Sequence, residues 1–237
     1  MGRADEFRAS NPAERYYDWR SDQNAFCWYD KDNETRIAEE MPFKFLILRQ
    51  SIRITGVDEQ TKQQILSNEV KNVGNEVLKV RLKDGTVLAQ GFWNQIKSVV
   101  NGFGGHYTKI IYAMDEAGSI ICIRVRGKGL LSWGNTIDKF FKKQKEEWIV
   151  VNGFEEFQYD GSTYSFPTFG FGGKPEKEQL TNAESLWEEL EDYHKQLINA
   201  PSTEPIPPAA KQSNVSMPKE PEQIPFAAEE DGDDLPF

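Results

Sequence analysis

Six cations sit at alternate positions of three apolar runs: Arg49 and Arg53, Lys79 and Arg81, Arg124 and Arg126. Leu46, Leu48, Ile52 and Ile54 interleave the first pair; Leu78, Val80 and Leu82 the second; Ile121, Ile123 and Val125 the third. Successive side chains of a strand point to opposite faces, so the alternation predicts a core face and a wet, cationic face in each run. Rows of cations can follow phosphates, and flat side chains between them can stack on bases. Trp93, Phe103, Tyr107 and Trp133 are the stacking candidates, with Trp28 ranked behind them. Trp93 and Tyr107 come first, because they flank Gly102-Phe103-Gly104-Gly105-His106, whose glycines predict a flexible loop with one exposed aromatic. The competing account is that outward Lys and Arg only keep a strand soluble and that a Trp fills a core.

Nothing comparable points to catalysis. The two histidines and two cysteines lie far apart in the chain, with no zinc spacing and no Cys/His nucleophile pair. Gly170-Phe171-Gly172-Gly173-Lys174 does not complete a phosphate-cradling fingerprint. The expectation is therefore a non-enzyme with no cofactor and no metal. Cys27 and Cys122 lie in apolar runs and read as core residues of a reducing compartment, the cytoplasm of a bacterium or of an infected host. No apolar run reaches membrane-spanning length and no signal peptide opens the chain, so no membrane partner is expected.

The net charge of −10 speaks against nucleic acid as a partner only on average. Residues 200–237 hold eight acids against two bases, and 181–199 five acids against one Lys, which leaves 25 of each in residues 1–180. Between Arg81 and Lys145 eleven bases meet four acids. A basic middle and an acidic end are the organising electrostatic feature.

The elements that must position these side chains are mostly strands. Phe26–Tyr29, Phe43–Val57, Val77–Lys83, Thr86–Phe92, Tyr107–Met114 and Ser119–Arg126 read as strands, with Asp84-Gly85 as a type I′ hairpin signal. Glu147–Phe157 and Gln158–Phe166 add strand material hinged at Asp160-Gly161. Gln60–Asn72 suits a helix or structured excursion, Trp93–Asn101 a short helix, and Leu130–Gln144 a longer one. Phe166–Gly173 reads as an aromatic, Gly-rich connector that ends the folded body. Glu176–Asn199 carries a helical apolar stripe of Leu180, Ala183, Leu186 or Trp187, Leu190, Tyr193 and Leu197, for packing on the body or on another subunit of a homo-oligomer. From 200 onward Pro, Ser, Glu and Ala predict disorder.

The pattern predicts a mainly β chain with accessory helices (α+β): a five-stranded barrel like the oligonucleotide-binding (OB) fold, with inserted helices. Its parts are an N-terminal arm, 1–24, whose Tyr16-Tyr17-Asp18-Trp19-Arg20 packs on the body or stacks on bases; a binding body, 25–173; a C-terminal helix, 174–199; and an acidic tail, 200–237.

The tail ends Glu229-Glu230-Asp231-Gly232-Asp233-Asp234-Leu235-Pro236-Phe237. A charged spacer before an apolar tip suits a docking peptide: the aromatic fills a pocket, the terminal carboxylate meets a cation, and the acids steer. Asp233, Asp234, Leu235, Pro236 and Phe237 resemble the C-terminal tip of bacterial single-stranded DNA-binding proteins, and the chain's organisation is similar to that of bacteriophage-encoded ones. The resemblance implies a protein that coats single-stranded DNA without strong sequence preference and recruits replication, recombination or repair proteins through Asp233–Phe237. A non-enzymatic adaptor and an RNA-binding protein remain the alternatives.

Overall fold

The computed structural model describes residues 11–199. The first ten residues, the tail with its tip Asp233–Phe237, and the near-repeat Ile224-Pro225-Phe226 lie outside the described residues.

The chain is mainly β. One long strand, β4 (Phe43–Val57), organises it, because one of its edges is paired along most of its length and the other is paired at both ends. On one edge lies β8 (Gly105–Asp115), followed by β9 (Ile120–Arg126), β1 (Arg15–Arg20), β2 (Ala25–Asp30) and β3 (Thr35–Ala38). On the other edge the start of β4, from Phe43 to Phe45, pairs with β10 (Ile149–Tyr159), which forms a hairpin with β11 (Ser162–Phe171). The end of β4, from Thr55 to Val57, pairs with β5 (Gln64–Ser67), followed by β6 (Leu78–Leu82) and β7 (Val87–Gly91). All these pairings are antiparallel except β1 with β9. Four helices complete the described residues: α1 (Trp93–Gly102), α2 (Lys128–Thr136), the single turn α3 (Lys143–Glu146) and α4 (Lys177–Asn199).

A bulge at Leu48, between the pairs Ile47↔Ala113 and Arg49↔Tyr112, inserts one residue and moves every later side chain of β4 to the opposite face. Simple alternation puts Leu46, Leu48, Ile52 and Ile54 on one face. The bulge instead sends Leu46 and Leu48 to clusters beneath α4, while Ile52 and Ile54 join Ile65, Leu78, Val80 and Val100 of α1 in a second core. The first core lies between the main sheet and the β10–β11 hairpin, where Phe43, Phe45, Ile111 and Ile123 meet Ile149, Phe169 and Trp133. On the reverse face α4 lays Leu186 and Leu190 over Ile110, Tyr112 and Cys122. Its stripe therefore runs through Leu186, and Trp187 faces outward.

Several segments differ from their sequence expectation. Residues 15–20, expected within an arm that packs on the body or stacks on bases, are a strand of the sheet itself, β1, with Tyr17 buried. Within 60–72 there is a strand, β5, and no helix. The helix expected over 130–144 breaks into α2, a 3-10 turn at Asp138–Phe140, and α3. Asp138 accepts a hydrogen bond from Trp133 Nε1 at 2.9 Å and pairs with Lys109, which turns the chain back on itself. Phe166–Phe171 is not a connector but paired strand, because Phe169 is needed in the first core. At Asp84-Gly85 only Gly85 has positive φ, which makes a turn closed by a left-handed glycine rather than type I′. Asp160 and Gly161 both have positive φ between paired Tyr159 and Ser162, the two-residue hairpin that type I′ requires.

Candidate nucleic-acid interface

The register brings the predicted cations to one sheet face. Arg53 and Arg126 both oppose Thr108, Arg124 opposes Ile110, and Arg49 opposes Tyr112. The same face continues through Thr55 and Leu66 to Arg81. Their surroundings nonetheless divide them. Arg49 lies beneath α4, paired with Glu191, and its side chain is only 11% exposed. Arg53 donates from Nε to the Ser67 carbonyl at 2.8 Å. Arg124 pairs with Asp18, and Arg126 approaches the other oxygen of that carboxylate at 3.6 Å. Lys79 and Arg81 lie on β6, beyond β5 from Arg53.

The predicted stacking residues fall elsewhere. Trp133 is fully buried, its ring parallel to Phe45 and edge-on to Phe169 at 4.9 Å. Trp93, Phe103 and Tyr107 are half-buried against the second core, and Tyr107 shares its face with Ile54, opposite the cations. Burial pushes the Tyr107 phenol up to about 12. The Gly-rich loop is pinned rather than open, since a Cβ on Gly56 would collide with the Gly104 carbonyl oxygen. His106 is exposed on β8.

The aromatics that do share the cationic face come from β1 and β2. Tyr16 pairs with Cys122 across β9, and Tyr29 pairs with Arg36 of β3. Both rings are exposed, Tyr16 by 41% and Tyr29 by 53%. They line a cleft of about 690 Å³ together with Arg20, Arg36, Arg124 and Arg126. Asp18 on its floor holds the last two guanidinium groups in place and offsets part of their charge. The Arg15 guanidinium lies 4.8 Å over Trp28 in the same cleft. A second cleft of about 240 Å³ shares Trp19, Arg124 and Arg126 with the first and continues to Lys128 and the β10–β11 hairpin.

Of the aromatics considered from sequence, those of the basic middle lie away from the cationic face, whereas Tyr16, from the segment read as packing on the body or stacking on bases, lies on it. A signal for β1 was present: in Tyr16-Tyr17-Asp18-Trp19-Arg20, Tyr17 and Trp19 turn inward to the first core while Tyr16, Asp18 and Arg20 alternate with them. The period is masked because aromatics stand on both faces, Tyr16 on one and Tyr17 and Trp19 on the other.

The helix α4 closes the part of the cationic face nearest Arg49. Tyr112 donates to Glu69 at 3.1 Å and meets His194 edge-on at 5.3 Å. Burial first, and the Arg49 guanidinium second, hold His194 below the ordinary histidine range. Glu191→Ala would leave Arg49 under the helix without its counter-charge. The expected loss is about 3 kcal/mol, the low end for a broken buried pair because Glu191 keeps some solvent contact. Thermal melting checks this, and Arg49→Met combined with Glu191→Leu should recover most of the loss.

Among the described residues no group of three or more His, Cys, Asp or Glu is placed to hold a metal ion, and no helix is long and apolar enough to cross a membrane. Cys27 and Cys122 are buried free thiols, the latter pushed up to about 12 by burial. No family model, no curated protein and no solved structure matches this chain.

Proposed function

We propose that the protein binds single-stranded DNA without strong sequence preference, along the cleft that runs from Tyr16 and Tyr29 past Arg20, Arg36, Arg124 and Arg126. The observation that carries this reading is the conjunction, on one sheet face, of two exposed rings with a set of guanidinium groups. Cations that follow phosphates and rings that accept any base are the two ingredients of sequence-tolerant single-strand binding. The architecture supports it as well. β1, β9, β8, β4 and the β10–β11 hairpin form a ring whose open side is bridged by side chains and not by a ladder: Trp19 Nε1 donates to the Ser165 carbonyl at 2.9 Å, and the Ser165 N–H to Ser21 Oγ at 2.6 Å. A partly open barrel of the oligonucleotide-binding kind, enlarged by extra strands, is the fold we infer from that ring.

In the same proposal the acidic segment ending Asp233-Asp234-Leu235-Pro236-Phe237 recruits replication, recombination or repair proteins, as its resemblance to bacterial tips implies. Being acidic, it would also compete with DNA for the arginines. Titration with oligo-dT, followed by tryptophan fluorescence at two salt concentrations, tests the reading. Affinity is expected to fall by about 0.7 log units per tenfold rise in salt for each phosphate contact. A flat salt response, or equal affinity for duplex, would count against it, and stronger binding to a matched RNA would redirect it. Removing residues 229–237 is expected to tighten oligo-dT binding at low salt and to end partner capture.

A further inference from the structure

Beyond β4's reach the β10–β11 hairpin pairs only with itself, since β10 leaves β4 after Val151↔Phe43. Its register nevertheless gathers aromatics on one face: Phe157 opposes Tyr164, and Glu155 opposes Phe166. The Phe157 ring lies 5.7 Å from Tyr164 at 30° and 5.9 Å from Phe166. These three rings form one wall of the 240 Å³ cleft, Trp19 and Phe26 contribute to another, and Arg126 and Lys128 stand at it. Lys128 Nζ is 5.5 Å above the Phe157 ring. Tyr164 is 42% exposed, although a hairpin needs no aromatic there for a core.

We propose that this cleft is a nucleobase pocket. It receives one unstacked base of the strand lying in the larger cleft, with the base against the Phe157, Tyr164 and Phe166 wall and the neighbouring phosphate on Arg126 and Lys128. The inference rests on the single-strand reading above and deepens it. The cleft is smaller than a drug-sized site, which suits one flat heterocycle. Its lining is shared with the arginine-rich cleft through Trp19, Arg124 and Arg126, so a strand can pass from one to the other. A base held in a duplex could enter only after flipping out of its stack. The pocket thus supplies discrimination against duplex that the phosphate contacts cannot.

The test uses the full chain and an oligo-dT carrying 5-iododeoxyuridine, with photo-cross-links mapped by mass spectrometry and affinity measured by anisotropy. Cross-links are expected on Trp19, Phe157, Tyr164 or Phe166. Tyr164→Ala should weaken binding on the order of tenfold, while Tyr164→Phe, which keeps the stacking face, should bind as the parent does. If the oligomer binds but cross-links only at Tyr16 and Tyr29, and Tyr164→Ala binds normally, the pocket is overturned and the larger cleft stands. If the parent protein binds no oligo-dT at all, both fall.

Discussion

Replacing Trp133 with alanine is expected to lower folding stability by about 3–5 kcal/mol, the range for deleting a large buried ring. The ring is fully buried, parallel to Phe45, edge-on to Phe169, and held through Nε1 by Asp138. Truncation therefore leaves a cavity in the first core and takes one of the two partners from the Asp138 carboxylate, which keeps Lys109, at the turn from α2 into the following 3-10 segment. A domain of ordinary stability would retain little margin. Urea unfolding followed by far-ultraviolet circular dichroism measures the loss, and a variant within about 1 kcal/mol of the parent would place the ring outside the core. Trp133→Phe distinguishes the packing role from the stacking role expected from sequence: it should lose part of the stability but keep oligo-dT affinity per folded molecule.

The second large effect is on binding. Tyr16→Ala together with Tyr29→Ala should weaken oligo-dT binding on the order of a hundredfold, since each stacked base is worth about 1–3 kcal/mol. Both rings are exposed, so the pair of changes should leave the melting temperature nearly unmoved. Anisotropy with labelled oligo-dT reads the first quantity and calorimetry the second. Full affinity in the double variant would move the stacking surface away from β1 and β2, whereas the matching phenylalanine variants should bind like the parent.

The parts legible in the sequence were those whose signal is local. β6 and β9 announce themselves because one face of each carries aliphatics and the other Lys or Arg, whereas β8 reads as a strand from its apolar run, being buried on both faces. The apolar stripe of α4 is legible for the same reason, but the sheet beneath it is not. Arg49 meets Glu191 across 142 positions of chain, and no spacing rule reaches that far. The cationic face could be inferred strand by strand; that α4 would cover Arg49, and that Asp18 would engage Arg124 and Arg126, depends on tertiary neighbours. Trp133 misled for a related reason: a helix shows which side is apolar but not what lies against it. The Leu48 bulge is invisible to binary patterning, because Leu46 and Leu48 are apolar on whichever face they fall.

That bulge lets a single strand serve both hydrophobic clusters, with Phe43 and Phe45 in one and Ile52 and Ile54 in the other. Opening either cluster strips a hydrogen-bonded edge from the other, so the two halves behave as one foldon. Amide exchange at Phe45 and at Ile52 is then governed by the same global opening. Neither cluster can then be carved away as a smaller autonomous module.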